Sequence, residues 1–152
     1  MLIDKKDKIK KMAQDNPCLC FNIRKASRII TQIYDEALRG LGYTPSQIMI
    51  LSSVQELHSS TINELADAVS TDRTTLSRNL IPLRKDGLIK PCDCADRRSK
   101  AVMITDKGRQ VLDKASDIWR EKHHSIAKAI GPQHMEHFIK DLNGILGKIQ
   151  QG

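Results

Sequence analysis

Apolar residues recur at spacings of three and four along most of the chain, which is the period of an amphipathic helix. Residues 17–39 form the first such segment, and its stripe consists of Ile23, Ala26, Ile30, Ile33 and Ala37. Asn16-Pro17 precedes the stripe as a cap and first helical residue, and Gly40 and Gly42 follow it. The pattern therefore predicts a long N-terminal helix.

Two stretches carry the capping-box pattern of a helix start. The first is Thr44-Pro45-Ser46-Gln47, whose helix ends near His58, and the second is Thr61-Ile62-Asn63-Glu64, which opens a shorter helix. A polar break at Ser70-Thr71 follows, and then Leu76, Leu80 and Leu83 predict a helix that ends at Gly87. Two short helices joined by a tight turn indicate a helix-turn-helix.

A single stretch has the character of β-strands. Residues 88–90 and 101–104 flank a polar segment and predict a two-stranded hairpin with a basic tip. Thr105 then caps a long helix through about Ala129, Gly131-Pro132 ends it, and a last amphipathic helix follows. We expect a mainly α fold with a small β-hairpin wing, in which long N- and C-terminal helices flank a winged helix-turn-helix.

The composition is that of a single globular domain. The chain has 152 residues, of which 39% are hydrophobic and 28% are charged, as in ordinary folded proteins. No apolar run approaches the roughly 20 residues of a membrane helix, and residues 1–14 lack the apolar centre of a signal peptide. The expectation is a cytoplasmic protein whose four cysteines are reduced thiols.

Basic residues are concentrated on the predicted helix-turn-helix and wing. The net charge is +7, and residues 72–100 alone contain eight basic and four acidic residues. Such a cluster suits a surface that binds phosphates. A solvated basic face would give the same pattern, so the charge by itself leaves both interpretations open.

The second helix of the predicted helix-turn-helix carries side chains suited to reading DNA bases. Its leucines face inward, which leaves outward a set of short polar and basic residues: Arg73, Thr74, Ser77 and Arg78. Arginine can bind guanine through two hydrogen bonds, and threonine methyl groups can contact thymine. Thr61 begins another helix, where backbone N–H groups can hold a phosphate. The wing adds Arg97, Arg98 and Lys100, which can enter a minor groove or contact phosphates alone.

Five segments together resemble the multiple-antibiotic-resistance regulator (MarR) family. They are residues 62–66 (Ile-Asn-Glu-Leu-Ala), 71–78, 83–89, 96–100 (Asp-Arg-Arg-Ser-Lys) and 104–108 (Ile-Thr-Asp-Lys-Gly). The resemblance implies a homodimeric transcriptional regulator, usually a repressor, that binds a pseudo-palindromic operator in double-stranded DNA. It places recognition-helix positions at Arg73, Thr74, Thr75, Ser77 and Arg78, and the minor-groove arginine of the wing at Arg98.

The resemblance covers essentially the whole chain. It implies one domain over residues 1–152, with a winged DNA-binding lobe at 44–105 and dimerisation helices at 16–42 and 106–150. One departure is Pro82, which removes a backbone hydrogen bond to Arg78 and is expected to kink the recognition helix after its base-reading half.

The cysteines form two Cys-x-Cys pairs, Cys18/Cys20 and Cys92/Cys94. The spacing is tighter than that of structural zinc sites, so neither a metal nor another cofactor is expected. Cys18 and Cys20 fall in the first helical turn, where N–H groups stabilise a thiolate, and are candidate redox-sensing residues. Cys92/Cys94 is the rival pair, and inert small side chains are the other interpretation.

Two further classes of function stay open at this level. A winged helix can bind proteins without reading DNA, and the cysteines raise a thiol-redox enzyme. The enzyme is disfavoured because the chain has no Cys-x-x-Cys beside a βαβ unit, no Gly-rich phosphate loop and no nucleophile elbow. The effector expected of a regulator is a small molecule or an oxidant.

Overall fold

Helices make up most of the residues that the computed structural model describes, which are 17–92 and 101–150. In chain order they are α1 (Leu19–Leu38), α2 (Pro45–Glu56), α3 (Ile62–Ala68), α4 (Arg73–Lys85), α5 (Asp106–Ile130) and α6 (Pro132–Gln150). A short 3-10 turn (Arg39–Leu41) follows α1, and the strands are β1 (Ser60–Thr61), β2 (Ile89–Pro91) and β3 (Ala101–Ile104). The predicted mainly α fold with a winged helix-turn-helix is confirmed.

The start of α1 differs from the prediction. The helix begins at Leu19 rather than at Pro17, and Cys18 occupies the N-cap position without a side-chain capping bond. The carbonyl group of Cys18 accepts the backbone N–H of Asn22 at 3.1 Å, which closes the first turn. Asn16, the predicted cap, lies outside the described residues. At the other end, the helix itself stops at Leu38, and Gly42, one of the two glycines predicted to end it, adopts a left-handed conformation with φ of +76° after the 3-10 turn.

The sheet has three strands where a two-stranded hairpin was predicted. Its order is β1-β3-β2, and both pairs are antiparallel, with Ser60 opposite Val102 and Ile89 opposite Ile104. The added strand contains only two residues, too few for an alternating pattern to show in the sequence. It ties the segment before α3 to the wing.

The buried core lies between α2, α3, α4, the sheet and the first half of α5. Its most deeply buried members are Leu51, Val54, Leu65, Leu76, Leu83, Leu88 and Val102. Within α1, by contrast, Leu38 is the one buried residue, and no described side chain of α6 is buried. None of the helices in the described ranges has both the length and the apolar character needed to cross a membrane.

The outer helices α1 and α6 expose apolar stripes. On α1 the exposed side chains are Leu19, Phe21, Ile23, Ile29, Ile30 and Ile33, and on α6 they are Phe138, Ile139, Ile145, Leu146 and Ile149. On an ordinary monomer surface, exposed apolar residues are scattered singly, whereas these follow one another along each helix.

Candidate nucleic-acid interface

The first turn of α4 is fixed by its N-cap residue, Asp72. One carboxylate oxygen accepts the backbone N–H groups of Thr74 and Thr75 at 2.9 Å each, and the other accepts the Thr75 hydroxyl at 2.6 Å. These bonds, with the Thr75 hydroxyl foremost, lower the pKa of Asp72, because they stabilise the ionised carboxylate. The helix that is expected to read DNA therefore has a firmly held start.

The two faces of α4 differ sharply in burial. Leu76, Leu80 and Leu83 are at most 2% exposed and anchor the helix in the core. The opposite side is exposed and carries all five residues that were assigned to the recognition helix: Arg73, Thr74, Thr75, Ser77 and Arg78. Thr75 differs from the others because its hydroxyl donates to Asp72, which leaves its methyl group for other contacts.

Helix α4 continues through Pro82 to Lys85. Proline has no N–H to donate to the carbonyl group of Arg78, whereas the carbonyl group of Pro82 itself accepts the N–H of Asp86 at 2.9 Å. The missing bond falls behind the exposed N-terminal half of the helix. The expected kink remains a prediction.

Thr61 forms the predicted capping box at the start of α3. Its hydroxyl accepts the N–H of Glu64 at 3.2 Å, and its own N–H donates to the Glu64 carboxylate at 2.8 Å. The bond from the Thr61 N–H is the largest cause of a lowered pKa at Glu64. Because Glu64 brings a negative charge to this point, the geometry offers less support for the predicted phosphate contact than the sequence did.

Behind α4 lies a junction that sequence reasoning missed. The hydroxyl of Tyr43 donates to Oδ2 of Asp86 at 3.0 Å, and the ammonium group of Lys107 donates to the carbonyl oxygen of Asp86 at 2.7 Å. Burial, and then the bond and charge of Asp86, raise the pKa of Tyr43. Tyr43 and Asp86 are 43 residues apart, so no local pattern could have paired them.

The wing residues Arg97, Arg98 and Lys100 lie outside the described residues, as does Cys94. The other cysteines divide into two kinds. Cys18 and Cys20 are exposed thiols, whereas Cys92 is disulfide-bonded, so the expectation of four reduced thiols was wrong for Cys92. Among residues 17–92 and 101–150, no group of three or more His, Cys, Asp or Glu side chains could hold a metal ion.

A cavity of about 770 Å³ lies between α1, α2 and α5. Its apolar wall is formed by Leu38, Pro45, Ile48, Met49, Leu112, Ala115 and Trp119, and its polar groups belong to Tyr34, Ser52, Ser53, Glu56, Ser116 and Arg120. The ring of Trp119 stacks on Tyr34, with centroids 6.3 Å apart, and on His123, at 4.5 Å. Burial raises the pKa of Tyr34.

Comparison with known proteins agrees with this architecture. Residues 43–108 match the family model described as a winged helix DNA-binding domain. Over 87% of its length, the chain is 36% identical to the M. tuberculosis transcriptional regulator MosR, solved in complex with DNA; it covers 98% of MosR with a TM-score of 0.72.

Two more distant structures share the fold. The transcriptional repressor CouR, bound to a 23-mer DNA duplex, is 22% identical with a TM-score of 0.81, over 89% of this chain and 96% of CouR. A mutant of MarR from E. coli, complexed with operator DNA, is 20% identical with a TM-score of 0.76, over 95% of this chain and 99% of that protein.

Proposed function

Because the chain belongs to the MarR family of winged-helix transcriptional regulators, we propose that it is a sequence-specific DNA-binding repressor and not an enzyme. The observation that carries this proposal is the exposed N-terminal half of α4, where arginine and short hydroxyl side chains stand opposite a buried leucine face. A helix of this kind fits the major groove and contacts base edges through its first turns. We assign base contacts to Arg73, Thr74, Ser77 and Arg78.

The wing adds the second set of contacts in this proposal. Residues 44–105 form the DNA-binding lobe, in which Arg98 enters the minor groove while Arg97 and Lys100 contact phosphates. Lys85 and Arg84, in the last turn of α4, supply further positive charge for the DNA backbone. The relative MosR was solved in complex with DNA, which supports DNA as the partner in this proposal.

The functional unit in this proposal is a cytoplasmic homodimer. The exposed apolar stripes of α1 and α6 support it, because burying one methylene group is worth about 0.8 kcal/mol and each stripe carries many of them. Residues 16–42 and 106–150 would form the dimer helices. Two recognition helices related by a two-fold axis read a pseudo-palindrome whose half-sites lie about 10 bp apart.

Release from DNA would follow from a change at either of two places. The cavity between α1, α2 and α5 suits a small effector that carries both apolar and polar groups, since seven of its lining residues are apolar and six are polar. Cys18 and Cys20 are the candidates for an oxidant signal, because they lie at the start of a helix proposed to form the dimer. A ligand or an oxidation that stabilises a dimer arrangement unable to bind DNA shifts the population away from the DNA-bound arrangement.

Fluorescence anisotropy tests DNA recognition directly. The labelled probe is the duplex upstream of the protein's own gene, and the competitor is a scrambled duplex at about 0.15 M salt. We expect salt-dependent binding with a preference of about a thousandfold or more for the native duplex. If that duplex shows no preference, a preferred sequence is sought by selection from random duplexes; failure of both overturns the proposal and favours a winged-helix module that binds protein.

Paired variants separate base reading from attraction to phosphate. Arg73→Ala or Arg78→Ala should cost about 1–3 kcal/mol and relax the preference at one base pair. The matched control, Lys85→Ala, should weaken binding to all sequences alike and lower the salt dependence by about one counterion. Equal losses on native and scrambled DNA for all three variants would contradict direct readout by α4.

A further inference from the structure

Asp86, the residue directly after α4, is held from two sides. Its carboxylate accepts the Tyr43 hydroxyl at 3.0 Å, and its backbone carbonyl accepts the ammonium group of Lys107 at 2.7 Å. Tyr43 lies in the connection between α1 and α2, and Lys107 lies in the first turn of α5. Both contacts therefore join the C-terminal end of α4 to segments that adjoin the long helices α1 and α5.

The last turn of α4 depends on this anchor more than an ordinary helix end would. Pro82 interrupts the internal hydrogen-bond ladder, and the following bonds run through the Asp86 segment. The N–H of Asp86 donates to the carbonyl oxygen of Pro82 at 2.9 Å, and the N–H of Leu88 donates to the carbonyl oxygen of Leu83 at 2.8 Å. A movement of Asp86 is therefore a movement of the end of α4.

The contact between Tyr43 and Asp86 is also partly sheltered from water. Both residues are half-buried, and the Tyr43 ring packs against the hydrophobic core. A hydrogen bond to a charged acceptor in such a place is stronger and more directional than one on an open surface. Such a bond can hold the end of α4 in one orientation.

We propose that Tyr43 and Asp86 are positioning residues for DNA recognition. Their hydrogen bond fixes the angle of α4 relative to α1, and thereby the separation of the two recognition helices in the dimer; this rests on the DNA-binding function proposed above. Without the bond, α4 samples orientations that do not match the operator. The apparent Kd then rises by the inverse of the fraction that is competent to bind.

Three variants test the role of the hydrogen bond. Tyr43→Phe removes the donor and keeps the packed ring, Asp86→Ala removes the acceptor, and Asp86→Asn keeps an acceptor oxygen without the charge. On the duplex that the wild-type protein prefers, the first two should raise Kd about tenfold, the size of one hydrogen bond to a charged group. Asp86→Asn keeps a weaker bond to a neutral acceptor and should bind between the wild type and Asp86→Ala, and the double variant Tyr43→Phe/Asp86→Ala should be no weaker than either single one.

The control for charge is Asp113→Ala, which removes an exposed carboxylate of α5. Loss of a negative charge alone leaves DNA binding unchanged or tightens it, so a weaker Asp86→Ala variant reflects positioning. Circular dichroism at the binding temperature verifies that each variant is folded. If Asp86→Ala is unfolded, Tyr43→Phe still tests the hydrogen bond.

The outcomes separate this inference from the function on which it rests. Folded Tyr43→Phe with the wild-type Kd, or Asp86→Asn as weak as Asp86→Ala, overturns the positioning role. A wild-type protein that prefers no duplex overturns the proposed function instead.

Discussion

Gly108, in the first turn of α5, packs directly against the carbonyl group of Leu88. A Cβ atom at Gly108 would overlap the Leu88 oxygen and approach Cγ1 of Ile104 to 2.7 Å. The same carbonyl oxygen accepts the N–H of Thr105 at 2.9 Å and its hydroxyl at 3.1 Å. The start of α5 therefore meets the residue before β2 backbone to backbone, which a side chain at position 108 would prevent.

Replacing Gly108 with alanine should destabilise the protein. Because the nearest obstacle is backbone rather than a flexible side chain, we expect the free energy of unfolding to fall by about 3 kcal/mol. Urea denaturation measures the change. The control is Gly40→Ala, since no described atom lies within 4 Å of a Cβ built there; equal stability of the two variants would contradict the packing argument.

The elements that the sequence predicted well are those whose cause is local. The capping box at Thr44 and the leucine period of α4 each depend on residues within one or two turns, and both are present. Strand β1 was missed because its partner, at Val102, is distant in the sequence. The bond between Tyr43 and Asp86 was missed for the same reason, and only the folded chain brings them together.

Replacing Ser60 with alanine should stabilise the protein. Ser60 is 1% exposed, and its hydroxyl has no hydrogen-bond partner among the residues that the structure describes. A buried hydroxyl without a partner is unfavourable because it loses its bonds to water. We expect Ser60→Ala to raise the free energy of unfolding by about 1 kcal/mol, measured by urea denaturation.

The exposed neighbour Ser59 provides the matched control. Ser59→Ala removes the same hydroxyl from a place where water can bind it, and should change stability by less than about 0.5 kcal/mol. A Ser60→Ala variant less stable than the wild type would mean that the hydroxyl makes a favourable contact after all.

Stability should fall in acid partly through two helix caps. Hydrogen bonds from Thr61 lower the pKa of Glu64 from its ordinary value of 4.5, and those from Thr75 and Thr74 lower the pKa of Asp72 from 3.8. Since both pKa values are lower in the folded state, the two carboxylates stabilise the fold fully at any pH above their ordinary pKa values. This stabilisation is lost as the pH falls through the lowered pKa values.

The variant Glu64→Gln/Asp72→Asn tests this account, because both new side chains keep an acceptor oxygen for the cap. Its stability should fall less steeply than that of the wild type below about pH 4.5. Thermal unfolding between pH 7 and pH 2.5 gives the two curves. Parallel curves over the whole acid range would show that the caps contribute nothing to the acid sensitivity.

Replacing both Cys18 and Cys20 with serine should separate DNA binding from oxidant release. Neither residue belongs to α4 or the wing, so the reduced double variant should bind the preferred duplex with the wild-type Kd. In the wild type, peroxide converts an exposed thiol to a sulfenic acid or a disulfide. That change alters the first turn of α1, next to Phe21 on the exposed apolar stripe, and should weaken binding.

The measurement is anisotropy before and after peroxide treatment, followed by dithiothreitol to test reversal. The comparison variant is Cys92→Ser/Cys94→Ser, which removes the rival pair at the wing. If peroxide weakens wild-type binding and Cys18→Ser/Cys20→Ser resists it while the wing variant does not, the signal enters at α1. If the wing variant is the resistant one, the sensor is the wing pair in its reduced form, and the disulfide at Cys92 represents its oxidised state. If peroxide leaves wild-type binding unchanged, the thiols carry no signal, and the cavity between α1, α2 and α5 is the remaining candidate for effector release.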